Sequence, residues 1–97
     1  MRLTDEQVVA IKSAAATAFG ADVVVRLFGS RVDDDRRGGD IDLYVETTPD
    51  KADVRHEVQF RSLIWKALDE EQIDVVVATG GDDRWIDRAA RREGLIL

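Results

Sequence analysis

The sequence predicts a small α/β domain. Helix-period apolar stripes alternate with short valine-rich runs that read as strands. Two of those runs flank a polar, glycine-containing loop. The 97 residues are 44% hydrophobic, an ordinary content for a globular domain that builds one modest core, so residues 1–97 are read as a single domain.

Residues 4–19 read as a helix. Thr4 followed by Gln7 fits a capping box, and Asp5 and Glu6 suit the positive end of the helix dipole. Val8, Ile11, Ala15 and Phe19 make an apolar stripe, and Gly20 is the stop. Asp22 to Phe28 is the first strand, apolar enough for burial on both faces. Arg26 interrupts it and reads as a surface arginine on an edge. Residues 29–39 form a loop, and Gly38-Gly39 permits a sharp entry into a second strand from Ile41 to about Glu46. Thr47-Thr48-Pro49-Asp50 signals a turn and a helix start. The helix over 51–70 carries Val54, Val58, Leu63, Ile64, Ala67 and Leu68, with Phe60 and Trp65 widening the stripe. His56 lies among charged neighbours and reads as a surface residue. Ile73 to Ala78 is the third strand. Gly80-Gly81 ends it, Asp82 or Asp83 caps a last helix to about Arg92, and Leu95-Ile96-Leu97 is an apolar tail.

The loop and its flanking strands carry the chemistry. Alternation along a strand puts Asp40 and Asp42 on one face and Ile41, Leu43 and Val45 on the other. The two aspartate Cα atoms stand about 6.6 Å apart, two strand steps. Like charges this close repel, and divalent cations about 3.5–4 Å apart offset that repulsion. Asp74 opens the third strand on the face opposite Ile73, Val75 and Val77, where it reads either as an exposed turn residue or as a third carboxylate. Following an Asp-x-Asp strand, the second reading is favoured. Gly29-Ser30 offers backbone N–H groups and a hydroxyl to an anion. Arg31, Arg36 and Arg37 stand near a triphosphate in that reading, against the simpler one of a solvated loop. The stretch reads as a metal-and-phosphate site.

Composition narrows the partners. Net charge is −6, from 14 basic and 20 acidic residues, which argues against holding a long nucleic acid by its phosphates. A nucleotide arriving with its own metal ions is not opposed. The absence of cysteine removes disulfides and thiolate metal sites. No apolar stretch approaches the length of a membrane span and no signal-peptide pattern opens the chain, so the expectation is a cytoplasmic protein with no membrane partner.

Gly29-Ser30, nine residues, then Asp40-x-Asp42, between apolar strands, resembles the DNA polymerase β-like nucleotidyltransferase superfamily. The short length and the ending Glu93-Gly94-Leu95-Ile96-Leu97 look like its minimal nucleotidyltransferase (MNT) family. The chain departs from the family pattern at Gly39, often serine there, and at Val32-Asp33-Asp34, where a small residue and an arginine-glycine pair are common. The resemblance implies a small mixed β-sheet with helices packed on one side. It implies that Asp40, Asp42 and Asp74 are the catalytic carboxylates and hold two Mg²⁺ ions. It implies that Gly29 and Ser30, with Arg31 beside them, bind the triphosphate of ATP. Mg²⁺ suits oxygen ligands and keeps sites for substrate phosphates.

The implied activity is Mg²⁺-dependent transfer of AMP from ATP to a hydroxyl on a partner protein. The implied partner is a small helical HEPN-like toxin, with this chain as the antitoxin in a hetero-oligomer. The last helix and tail, with Trp85, Ile86 and Leu95 to Leu97, are the expected contact surface. Two alternatives stand beside it: a non-catalytic antitoxin acting by binding, and a small-molecule nucleotidyltransferase of the aminoglycoside-modifying kind.

Overall fold

A computed structural model describes residues 3–28, 41–68 and 73–97. The elements run α1 (Asp5–Phe19), β1 (Val24–Phe28), β2 (Ile41–Thr47), a 3-10 turn (Pro49–Lys51), α2 (Val54–Ala67), β3 (Ile73–Thr79), α3 (Trp85–Glu93) and β4 (Leu95–Ile96). The four strands form one mixed sheet in the order β3-β2-β1-β4. β1 lies antiparallel to both β2 and β4, and β2 lies parallel to β3. A parallel pair needs a crossover, and α2 supplies it.

The expected mixed sheet with packed helices is present. On one face, Ile11, Ala15 and Phe19 of α1 and Phe60 and Ile64 of α2 meet Leu27, Leu43 and Val45 of the sheet in the main core. The third helix differs from the expected one-sided arrangement. Its Ala90 packs with Tyr44 and Ala78 on the opposite face. Because β2 is covered on both sides, Leu43, Tyr44 and Val45 are all buried in succession.

α1 follows its sequence signals. The Thr4 hydroxyl accepts from the Gln7 N–H at 3.0 Å, and the Gln7 amide oxygen accepts from the Thr4 N–H at 2.9 Å. Gly20 closes the helix with φ 102°, a conformation that favours glycine. α2 starts later than the 51–70 reading. Thr48-Pro49 opens only a 3-10 turn, and Asp53 is the true cap, accepting from the His56 N–H at 2.9 Å. Its buried stripe is Phe60, Ile64 and Leu68, while Val54 and Val58 of the expected stripe face solvent. His56 is half-buried, bonded to Asp53 and stacked against Phe19.

Three further readings are corrected. Arg26 is not on an edge, because β1 lies inside the sheet, and it pairs with Glu46 in partly buried surroundings. Neither Asp82 nor Asp83 caps α3: the cap residue is Arg84, and Asp82 instead closes the turn after β3. The apolar tail is a strand. Leu95 and Ile96 pair with Leu27 and Arg26, and the Leu97 N–H donates to the Val25 carbonyl at 2.9 Å. Among the described residues, no helix is long and apolar enough to cross a membrane.

Candidate functional site

The parallel register sets Asp42 of β2 directly beside Asp74 of β3. Neighbouring strands put such Cα atoms about 4.8 Å apart, with both side chains on the same face. Asp42 is half-buried and Asp74 is exposed. On the other flank, Asp42 is paired with Phe28, the last described residue of β1. Ile41, Leu43 and Val45 all face the α1/α2 core, which turns Asp42 to the face that α3 covers only in part. The apolar alternation thus commits Asp42 and Asp74 to the same face of the sheet.

The other expected site residues, Asp40, Gly29, Ser30 and Arg31, lie outside the described residues. Among the described residues, no group of three or more acidic or histidine side chains is gathered around a point. Asp42 and Asp74 are therefore the part of the carboxylate set that the structure brings together. The donor chemistry of this pair fits Mg²⁺, a hard cation that takes carboxylate oxygens and few protein ligands. A cleft of about 230 Å³, lined by Phe19, Val24, Glu46, Thr48 and Lys51 among others, sits instead at the opposite end of the β1–β2 pair.

The floor beside the carboxylates is fixed by a buried network. Asp87 of α3 has 0% exposure, and its carboxylate accepts from the Tyr44 hydroxyl at 2.5 Å. It also accepts from Arg84 Nε at 2.8 Å, Arg84 Nη2 at 3.1 Å and the Arg84 N–H at 2.8 Å. Arg84's side-chain bond holds the Asp87 carboxyl well below the usual carboxylate range, with Tyr44's bond adding to it. Burial, then the Asp87 bond, pushes Tyr44 up to about 12. Tyr44 follows Asp42 by two residues on the same strand face and meets Phe28 edge-on, ring centroids 6.4 Å apart. α3 is thus bolted to the face that carries the aspartates. Sequence reasoning missed Asp87. The spacing Arg84-x-x-Asp87, a capping pair at the start of a helix, was its signal.

No protein-family model matches the chain significantly, and neither does any curated protein or solved structure.

Proposed function

We propose that this protein is a Mg²⁺-dependent nucleotidyltransferase that moves AMP from ATP to a hydroxyl on a partner protein. The observation that carries the reading is the registered Asp42–Asp74 pair on adjacent parallel strands, at the end of the sheet where Asp40 and Gly29-Ser30 are expected. Two carboxylates held at strand spacing repel, and a cation site gives that arrangement a use.

In this reading Asp40, Asp42 and Asp74 hold the metal, and Gly29, Ser30 and Arg31 hold the triphosphate. When bound, Mg²⁺ supplies charge neutralisation to the phosphates and the departing pyrophosphate. Asp74, the more exposed of the described pair, faces the acceptor. Its carboxylate orients the acceptor hydroxyl and takes its proton as the oxygen bonds to the α-phosphorus and the bond to pyrophosphate breaks. The acceptor is a small helical HEPN-like toxin, and the pair works as a toxin–antitoxin module in the cytoplasm.

A second reading is favoured by a separate observation. Trp85 is 72% exposed and Ile96 is 67% exposed, so apolar surface for a partner exists apart from the carboxylates. A binding antitoxin would use it without chemistry. Transfer of labelled AMP from ATP to a co-purified partner tests both readings. Labelling by wild type that is lost in Asp42→Asn, with the complex intact, supports the enzyme. Equal neutralisation of the partner by both, with no label on it, supports the binder.

A further inference from the structure

We propose that Phe28 positions Asp42: its ring is a wall that keeps the Asp42 carboxylate turned toward Asp74, ready for a divalent cation. This role rests on the metal-site reading of Asp42 and Asp74, to which it adds a residue that touches no metal.

The register places three side chains in a row on the face that α3 covers in part. Phe28 of β1 pairs with Asp42 of β2, and Asp42 pairs with Asp74 of β3. Phe28 and Asp42 are half-buried, whereas Asp74 is exposed. Residues directly opposite in an antiparallel pair have Cβ atoms about 4.5–5.5 Å apart, within reach of an aromatic ring. Asp42 therefore has an apolar ring on its β1 side and a solvent-exposed carboxylate on its β3 side.

The Phe28 ring is itself held. It meets Tyr44 edge-on, with the planes at 90° and the centroids 6.4 Å apart. It packs on the cluster of Tyr44, Ala78 and Ala90, so α3 backs it. Tyr44 has no exposure, and its hydroxyl donates to the buried Asp87 carboxylate at 2.5 Å. Asp87 accepts two further bonds from the Arg84 side chain, at 2.8 and 3.1 Å. A ring that rests on so fixed a neighbour does not yield to the aspartate beside it.

An aspartate chooses among staggered χ1 wells. A ring on the β1 side closes the well that points there, because a carboxylate pressed on an apolar surface loses its water. Affinity falls with the fraction of molecules that hold the competent arrangement, so opening three wells in place of one costs about threefold. The ring also keeps water from one side of the carboxylate, which strengthens its attraction to a cation. Threefold is thus the lower figure. Val76 gives the comparison: it packs on the same cluster but pairs with Tyr44, not with Asp42.

The test is Mn²⁺ affinity by isothermal titration, with urea unfolding of the metal-free protein as the measure of stability. Phe28→Val removes the ring and keeps a strand-forming residue. It should raise the Mn²⁺ dissociation constant at least about threefold. Phe28→Tyr, which keeps the ring, should stay within about twofold of wild type. Val76→Ala should lower stability and leave Mn²⁺ affinity unchanged. If Phe28→Val does not fold, Phe28→Leu carries the same test with the same expectation. A folded variant without the ring that binds Mn²⁺ within about twofold of wild type overturns the positioning role, while the metal site stands. Phe28→Tyr or Val76→Ala weakening Mn²⁺ as much as Phe28→Val also overturns it, because the effect is then a general loosening. Wild type that binds no Mn²⁺ overturns the metal-site reading, and the positioning role with it.

Discussion

The Tyr44 hydroxyl donates to the Asp87 carboxylate at 2.5 Å where neither residue has measurable exposure. One partner comes from an inner strand and the other from α3, so this bond fastens the helix to the sheet. Removing one partner of a buried charged bond leaves the other desolvated. Asp87→Ala should therefore destabilise the fold by about 2–3 kcal/mol. Tyr44→Phe should cost less, about 1–2 kcal/mol, because Arg84 still satisfies the carboxylate. Urea unfolding of the two variants checks the order.

The same pair gives stability a dependence on pH at both ends. Asp87 binds its proton more weakly folded than unfolded, chiefly through Arg84. Its contribution is present above the unfolded value near about 3.9 and is lost as pH falls toward the depressed folded one. Tyr44 is pushed up to about 12, mainly by burial. Its contribution is present below the unfolded value near about 10 and is lost as pH rises toward the folded one. Unfolding free energy measured against pH should fall in both windows. Tyr44→Phe should remove the alkaline fall, and Asp87→Asn should flatten the acid one. Asp53, lowered mainly by the His56 backbone bond, leaves a residual acid slope. The chain's single tyrosine makes the alkaline step readable by absorbance.

Metal should stabilise the fold if the carboxylate pair holds it. Ligand at a hundred times its dissociation constant adds about 2.7 kcal/mol. For a domain this size, each kcal/mol moves the melting midpoint by about 4–8 °C. Mn²⁺ or Mg²⁺ should raise it, ATP with metal should raise it further, and a chelator should reverse both. Asp42→Asn should abolish most of the shift. A folded wild type with no shift at millimolar metal plus ATP speaks against the site.

What the sequence could convey depended on whether a signal was local. α1 was legible end to end, because Thr4, Gln7 and Gly20 act within one helical turn of the residues they serve. α2 was misread at its start because two cap signals compete, and only the Asp53 carboxylate reaches a helical N–H. Phe60 took the place of Val54 and Val58 because the axial rotation of α2 is set by packing against Phe19, not by its own pattern. Asp87 was hidden behind Asp82 and Asp83, which precede α3, and the phase of α3 turns Asp87 onto the sheet. At the site, the alternation of β2 was legible and orients Asp42. The register that sets Asp74 beside it depends on α2 as a crossover and on pairing 32 residues apart, counting from 42 to 74.

Asp42 and Asp74 should fail differently when each is changed to asparagine. The swap keeps size and removes charge, so the shape of each side chain is kept. Asp42 is half-buried between Phe28 and Asp74, and in the proposed reading it serves the metal first. Mg²⁺ binds through few protein ligands, so Asp42→Asn should abolish AMP transfer and weaken binding of ATP with metal together. Asp74 is exposed, as a group turned toward an acceptor should be. Asp74→Asn should cut transfer by roughly a hundredfold or more, the scale of lost general-base assistance, with a smaller loss of ATP binding. Ser30→Ala should weaken ATP binding only mildly, because backbone N–H groups remain to the phosphates. Isothermal titration with ATP and Mn²⁺, beside the labelled-AMP assay on the co-purified partner, separates binding from transfer. If the two asparagine variants lose binding and transfer in equal proportion, Asp74 serves the metal alone and does not act on the acceptor.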